Sequence, residues 1–571
     1  MIIGLDVGGT HTDIVLLDQS GLLKETKVPT NEADLFHTVL AGIEEISRGI
    51  KPESIERIVL STTLTTNFIV QGGAPDFGMI VLSGPGLDPE LFRTHEHYYT
   101  LGGALDHRGR EVEPVDYAGL KKIIKTLKKA GIRHVGVVGK FSARNPVHEQ
   151  AVREVLKKKG FRKVFLGHWL SGSLNFPRRI ATTYLNASVY PIHKKFFEAI
   201  QKMLEKHGLH VPIHILKADG GTMSFPASIR YPGQTILSGP AASVMGAIPF
   251  TRDNEEALAL DIGGTTTDMA VILNRVPVLE PLGIEIAGYK TLIRALKTRS
   301  VGLGGDSAIT VENRQLRLGP ERQGSARAFG GPVPTPTDAL CVLGMMTEGD
   351  RDKATAGIQP LADAMHRSVP ETAQLIYDQF CRAVVDHARN LVGDINSKPV
   401  YTVHEYWQGE SVTPTRILVL GGPAGYFADG IAKASGLPTD TVPRWSVANA
   451  LGAAFARTTC EVTLFADTQQ GIMAAPEEEY SKRIGSSFTR EDAQAKALEL
   501  LRKKARKRGA STGDLALEVL ENQQFNMVRG FSAAGRYIRI KAQVKPGLIH
   551  GYEVICDKLS DEASCYPEAA K

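Results

Sequence analysis

No stretch of this 571-residue chain holds the roughly 20 consecutive apolar residues that cross a bilayer, so no membrane contact is expected. The apolar opening Met1–Leu5 meets Asp6 at once and has no basic residue before it, which is not the pattern of a signal peptide. Cysteine is scarce. Cys341, Cys381, Cys460, Cys556 and Cys565 are scattered, with no Cys-x-x-Cys pair. That argues against a disulfide framework, an iron–sulfur cluster and a structural zinc site, and it suits a reducing cytoplasm. Cys556 and Cys565 read as free thiols. The net charge of +5 is small for the length and does not point to nucleic acid. A basic run from Arg502 to Arg508 ends a helix before Gly509, where cations suit the helix dipole, and no aromatic residues are interleaved with it. His95, His97 and His107 fit no helical ligand pair and read as loop surface.

Glycine, by contrast, is abundant at 57 residues and gathers in loops. The length suggests about three or four domains. An internal repeat organises them. Residues 2–17 read IIGLDVGGTHTDIVLL and residues 258–273 read LALDIGGTTTDMAVIL. Each copy is an apolar run, an Asp, Gly-Gly-Thr-x-Thr-Asp and a second apolar run, which predicts strand–turn–strand. The offset of 255 residues is too long for a solenoid and implies two related domains. Between the copies, helical and strand patterns alternate, with a long helical stretch over 178–206 interrupted near Pro191. Residues 321–337, rich in Gly, Pro, Ser and Arg, predict a long mobile or functional loop. Past about 470 the character changes to a charged helix and further strands. The expected architecture is α/β and two-lobed, with lobes at 1–175 and 176–470 and a small α+β unit at 471–571.

The repeats carry the chemistry. Gly8, Gly9, Thr10, His11 and Thr12, like Gly263, Gly264, Thr265, Thr266 and Thr267, place backbone N–H groups and hydroxyls at one turn, as phosphate-binding nests do. Asp6 and Asp261 end the preceding strands, where they can hold Mg²⁺ or orient an attacking group. A β-turn with a satisfied Asp would explain one copy; two matched copies favour a polyphosphate clamped from both sides. The strand 416–420 ends in Gly421-Gly422-Pro423, which can present backbone to adenosine or be an ordinary strand–helix turn. The helical segment 446–457 is lined with Ala and Gly, which suits a close-packed hinge between domains or a tight core helix.

Two phosphate loops, an adenosine loop and small-residue connecting helices resemble the superfamily of actin, hexokinase and the heat-shock chaperones, whose lobes are duplicated ribonuclease H-like domains. Within it the chain resembles the hydantoinase/oxoprolinase family, A-subunit type. Further stretches carry the likeness: Ser61-Thr62-Thr63-Leu64-Thr65-Thr66-Asn67, Arg144-Asn145-Pro146-Val147-His148-Glu149, Ala218-Asp219-Gly220-Gly221, Leu237-Ser238-Gly239-Pro240-Ala241 and Ser300-Val301-Gly302-Leu303-Gly304-Gly305. The resemblance spans about 1–460. It departs at Asp219, where the family usually has Asn, and at Asp306, where it usually has a third Gly.

The resemblance implies ATP-dependent phosphorylation of an amide or carbonyl oxygen, leading to ring-opening hydrolysis or to carboxylation, with a B-type partner subunit and an oligomeric assembly. It makes Asp6 and Asp261 catalytic and Mg²⁺-organising. It gives the two turns to phosphate and Gly421 and Gly422 to adenosine. Thr62, Thr63, Asn67, Asp219, Gly304, Gly305 and Asp306 become candidate substrate contacts, although the 61–67 run serves equally as a helix cap. Asp13 and Asp268 are open between ligand and turn-holding roles. A stand-alone small-molecule kinase and an ATP-switched scaffold are the alternatives.

Overall fold

The computed structural model describes residues 1–31, 34–73, 76–206, 208–280, 282–397, 411–511, 513–529 and 532–565. Each repeat opens a sheet. In the first lobe Ile2–Val7 pairs antiparallel with His11–Asp18, which pairs antiparallel with Gly21–Pro29. On its other side Ile2–Val7 runs parallel to Arg57–Thr62, which runs parallel to Ile213–Leu216. In the second lobe Glu256–Ile262 pairs antiparallel with Thr267–Leu273, which pairs with Val276–Pro277 and Thr298–Val301. Glu256–Ile262 runs parallel to Arg416–Leu420, and that strand parallel to Thr439–Thr441. The order and directions coincide, so the repeat extends from a hairpin to whole lobes. The duplicated two-lobed α/β fold expected from the sequence is the fold observed. The central strands are apolar on both faces because helices cover both sides.

Between the fourth and fifth strands of the first lobe the chain inserts a parallel sheet in the order Lys163–Leu166, His134–Gly139, Phe77–Leu82, Tyr98–Thr100. His95 is not loop surface. Its ring packs on Phe77 and Tyr184, and Nε2 meets the Phe77 carbonyl oxygen at 2.9 Å. The helix Phe176–Lys206 then returns without interruption, with exposed Pro191 inside it. Its first half packs Phe176, Ile180 and Ala187 into the inserted sheet's core, and its second half packs Phe196, Phe197 and Ile200 into the first-lobe core. Burial at both ends outweighs the roughly 3 kcal/mol that an interior proline costs. The first lobe thus takes Ile213–Leu216 and Thr222–Ser224 from beyond residue 175.

The C-terminal unit is a five-stranded antiparallel sheet covered by the helix Arg490–Lys507. Its central strand is Glu461–Asp467, from before residue 471, and pairs with Ser532–Val544. Leu517–Arg529 is one continuous edge strand. The last helix, Tyr552–Cys565, leaves this sheet and buries Ile555, Cys556 and Leu559 against Val15 and Leu17 of the first lobe. Cys341, Cys381, Cys460 and Cys556 are buried free thiols; the side chain of Cys565 lies outside the described residues. Among the described residues no helix is long and apolar enough to cross a membrane.

The lobes meet through two small-residue helices, Ser238–Ala247 and Ala448–Phe455, each following the fifth strand of its own lobe. They cross at glycine. A Cβ on Gly452 would stand 2.1 Å from the Ala242 carbonyl oxygen, and one on Gly246 would stand 2.2 Å from that of Ala448. Each helix also leans on the other lobe. Arg57 Nη2 of the first lobe donates to the Ala454 carbonyl oxygen at 2.8 Å, and Ser243 Oγ of the first helix donates to Asp261 Oδ2 at 2.5 Å.

Candidate functional site

Asp6 and Asp261 occupy equivalent places, next to last in their strands. Each faces a second aspartate across its hairpin, Asp13 and Asp268. The turns between them are built alike. Gly8 N–H donates to the His11 carbonyl oxygen at 3.1 Å, and Gly263 N–H to that of Thr266 at 2.9 Å. Among the described residues, the N–H groups of Gly9, Thr10, Gly264 and Thr265 find no acceptor within the chain. Two turns therefore present free donors beside a shared carboxylate cluster.

That cluster is electrostatically strained. Burial pushes the Asp6 carboxyl up to about 7, and the nearby Asp13 and Asp261 add to the rise. Burial likewise takes Asp268 up to about 7, with Asp261 and Asp6 contributing. Asp13 is raised by burial despite its ion pair with Lys27 Nζ at 2.9 Å. Asp261 is raised by burial against the hydrogen bonds that Ser243 Oγ and Asn449 Nδ2 (3.0 Å) donate to its Oδ2. Asp6 Oδ1 and Asp268 Oδ1 are buried with no hydrogen-bond partner. No group of three His, Cys, Asp or Glu is arranged to hold a metal among the described residues. A buried oxygen without a partner, in a group of mutually repelling carboxyls, nonetheless suits a divalent cation that keeps most of its waters.

The remaining candidates separate. Gly305 N–H donates to the Gly263 carbonyl oxygen at 2.9 Å and Asp306 N–H to that of Gly264 at 2.7 Å, so the 304–306 segment braces the second turn. Asp306 pairs with Arg322 at 3.1 Å, which ties down the start of the 321–337 loop. Asp338 anchors the middle of that loop through the N–H groups of Arg327 and Ala328. Gly421 stands at φ +99°, and a Cβ there would lie 2.2 Å from Asp261 Oδ1. Its neighbour Gly422 is exposed, with Trp445 close by the same loop at Gly425. Thr12 and Thr267 turn inward, Thr12 Oγ1 to Thr30 Oγ1 (2.9 Å) and Thr267 Oγ1 to the Leu303 carbonyl oxygen (2.6 Å), so their hydroxyls are engaged within the chain. Thr62 is buried and its Oγ1 accepts from Leu64 N–H, a cap for the helix Leu64–Val70. Thr63 and Asn67 keep partial or full exposure. Glu149 of the His-Glu segment is fully buried and bonds Gly139 N–H and His168. Asp219 lies elsewhere, in a buried pair with Lys217 at the junction with the C-terminal unit.

Sequence reasoning missed Lys27, Ser243 and Asn449. Asn449 is the one polar side chain inside the Ala/Gly helix Ala448–Phe455, and that oddity was the available signal.

Residues 179–462 match the family model described as hydantoinase/oxoprolinase, and residues 2–160 match that of the hydantoinase/oxoprolinase N-terminal region. The chain belongs to the hydantoinase/oxoprolinase family. Among relatives in this hydantoinase/oxoprolinase family, it is 24% identical over 385 residues to the caprolactamase subunit alpha of Pseudomonas jessenii, covering 61% of this chain and 55% of that protein. It is 28% identical over 416 residues to the acetophenone carboxylase gamma subunit of Aromatoleum aromaticum, covering 63% and 55%. The crystal structure of the ATP-dependent caprolactamase from Pseudomonas jessenii superposes with a TM-score of 0.71 at 18% identity, over 95% of this chain and 87% of that one. At that identity the likeness speaks for the fold. The chain spans a little over half the length of these curated family members.

A pH-dependent stability follows from the carboxylate cluster. Asp6 has a folded pKa near 7 against 3.8 for the free group, so the native state holds a proton that the unfolded state has lost. That costs stability progressively as pH rises from about 4 to 7, and the cost is complete above 7. Asp6→Asn cannot ionise. The melting temperature of the variant, measured without divalent metal, is therefore expected to exceed the wild type's by a margin that widens from pH 5 to pH 8. A constant or shrinking margin would mean that Asp6 is neutralised in some other way.

Proposed function

We propose that this chain is the nucleotide-binding subunit of an enzyme that uses ATP to activate the oxygen of a cyclic amide or ketone, for ring-opening hydrolysis or carboxylation. The observation that carries the reading is the convergence of two matched turns, each with free backbone donors, on one cluster of four aspartates, Asp6 and Asp261 buried and Asp13 and Asp268 partly so. The relatives named for caprolactam and acetophenone support it, as does the similar crystal structure, that of a caprolactamase described as ATP-dependent.

On this reading Gly9, Thr10, Gly264 and Thr265 donate backbone N–H groups to the phosphates from both lobes. Gly421, lacking a Cβ, lets the nucleotide loop close on Asp261. Asp6 and Asp261 would hold Mg²⁺ through its water shell, and that ion supplies neutralising charge to the phosphates. Ser243 and Asn449 fix the Asp261 carboxylate so that it needs no reorientation. For a lactam, the carbonyl oxygen attacks the γ-phosphorus, the bond to ADP breaks, and the carbon bearing the phosphorylated oxygen becomes open to water; for a ketone, the enolate oxygen left by loss of an α-proton attacks instead, and the α-carbon of the resulting enol phosphate forms the new bond to the carboxyl carbon as the phosphate is released to water. A lactam is a poor electrophile, and phosphorylating its oxygen creates the missing leaving group. Both curated relatives are subunits by name, so the later step is assigned to a B-type partner.

The test is phosphate release from Mg-ATP by the purified chain, alone and with a B-type subunit, across a panel of lactams, hydantoins and ketones. Stimulation by one compound class is the expected result and names the substrate. Release of a stable phosphorylated product without any partner would favour a kinase instead.

A further inference from the structure

A second polar site lies away from the nucleotide turns, where the first lobe, the segment around Arg294 and the C-terminal unit meet. It is a cavity of about 40 Å³ whose charged lining is Lys217, Arg294, Lys504 and Arg508 together with the carboxylates of Asp219, Glu461 and Glu477. One water needs about 10–15 Å³ of such space, so the cavity has room for a few waters or for one small ion.

Its charges do not close among themselves. Lys217 is satisfied by Asp219 at 3.0 Å and by Thr459 Oγ1 at 2.5 Å. Burial pushes the Asp219 carboxyl up, but Lys217 and Arg294 more than reverse this and hold it down at about 2. Lys504 is satisfied by Glu478 at 2.5 Å and the Glu461 carbonyl oxygen at 2.8 Å, with Glu477 at 3.7 Å. Glu461 is taken by Lys541 at 3.2 Å.

Two guanidinium groups are matched less completely: Arg294 makes ion pairs but no hydrogen bond through Nη1 or Nη2, and Arg508 pairs with no carboxylate. Arg294 Nη1 and Nη2 are buried without a hydrogen-bond partner, and the carboxylate oxygens nearest to its guanidinium, on Glu461 and Asp219, stand at 3.6 and 3.7 Å, beyond bonding range. Arg508 is 5% exposed. Its Nη1 makes a weak contact with Gln234 Oε1 at 3.3 Å, and its guanidinium carbon stands 4.5 Å from the Tyr231 ring centre. Among the described residues no carboxylate lies within 4 Å of it. The unmatched buried donors of Arg294 are costly, and the fork geometry of the two guanidinium groups suits planar oxyanions.

We propose that this cavity binds a small planar oxyanion of the size of formate or bicarbonate, held by Arg294 and Arg508. The bound ion would bridge three units of the chain through one set of charge-assisted hydrogen bonds. The site is independent of the nucleotide reading, because none of its residues touches the aspartate cluster.

The experiment is a titration of the full chain with sodium formate and sodium bicarbonate by calorimetry and thermal melting. Ionic strength is held constant with gluconate, which exceeds the cavity. One saturable site is expected, with a melting temperature that rises with anion concentration. Arg294→Gln should weaken binding by at least about tenfold. Arg508→Lys keeps the charge but loses the fork and should also weaken it, so it serves as the test where Arg294→Gln does not fold. Absence of saturable binding in the wild type would overturn the proposal and leave ordered water in the cavity. Equal binding by wild type and both folded variants would overturn it too, placing the ion at the phosphate-binding turns.

Discussion

Asp261→Asn is expected to abolish substrate-stimulated ATP turnover, by about a thousandfold, while raising the melting temperature of the ligand-free protein. The two effects share one cause. Asp261 is buried among Asp6, Asp13 and Asp268, and its ionised form is disfavoured by burial and by Asp13. An asparagine keeps its oxygen where Ser243 Oγ and Asn449 Nδ2 donate, so the local hydrogen bonds survive. What disappears is the charge, which the empty fold bears at a cost and which Mg-nucleotide requires. Turnover measured with partner and substrate, beside melting of the chain alone, separates the outcomes. A variant that keeps a tenth or more of the activity would remove Asp261 from the machinery. One that loses activity and stability together would reduce it to a structural residue.

The second large effect concerns two helical glycines with opposite expected signs. Gly452→Ala puts a methyl group 2.1 Å from the Ala242 carbonyl oxygen and 2.4 Å from Gly246 N. Both are backbone atoms, so neither can rotate away, and the helices must separate. A loss of about 3 kcal/mol is expected, at the upper end of overpacking penalties. Gly393, inside the helix Val369–Asn396, would meet nothing within 4 Å. Gly393→Ala should therefore gain up to about 1 kcal/mol from helix propensity alone. Denaturant unfolding of the two variants checks the pair. No loss in Gly452→Ala would mean that the helix crossing is not close-packed, and a loss in Gly393→Ala would mean that its surroundings are not open.

Much of the proposed nucleotide site was legible because it is local. A strand, a Gly-Gly turn and a returning strand lie within sixteen residues of sequence, and their repetition fixed the equivalence of Asp6 with Asp261 before any fold was known. The residues that complete the site were hidden because they come from far along the chain. Asn449 reaches Asp261 across 188 positions, and nothing near it in sequence announces the partner. The same limit explains the strand Glu461–Asp467, which pairs with a strand some seventy residues later and so belongs to the C-terminal unit. Asp219 is a different case. An extra carboxyl in a Gly-rich loop looks like a ligand contact, but Lys217, two residues earlier, already claims it. Pro191 misled because local propensity was set against burial at both ends of a long helix, and burial prevailed.

The exchange of connecting helices bears on how such a chain arose. Each lobe's closing helix completes the core of its twin: Ala450 and Ala454 pack on Gly4 of the first sheet, and Ser243 reaches the second. Reduced to a single lobe, the same architecture is a swapped, two-fold symmetric homodimer whose isologous contact already contains the paired aspartates. Gene duplication and fusion would turn that dimer into one polypeptide without altering the seam. Thereafter the halves could diverge, one acquiring the inserted parallel sheet and the other the glycine loop at Gly421. The same logic says that neither half, expressed by itself, should remain monomeric.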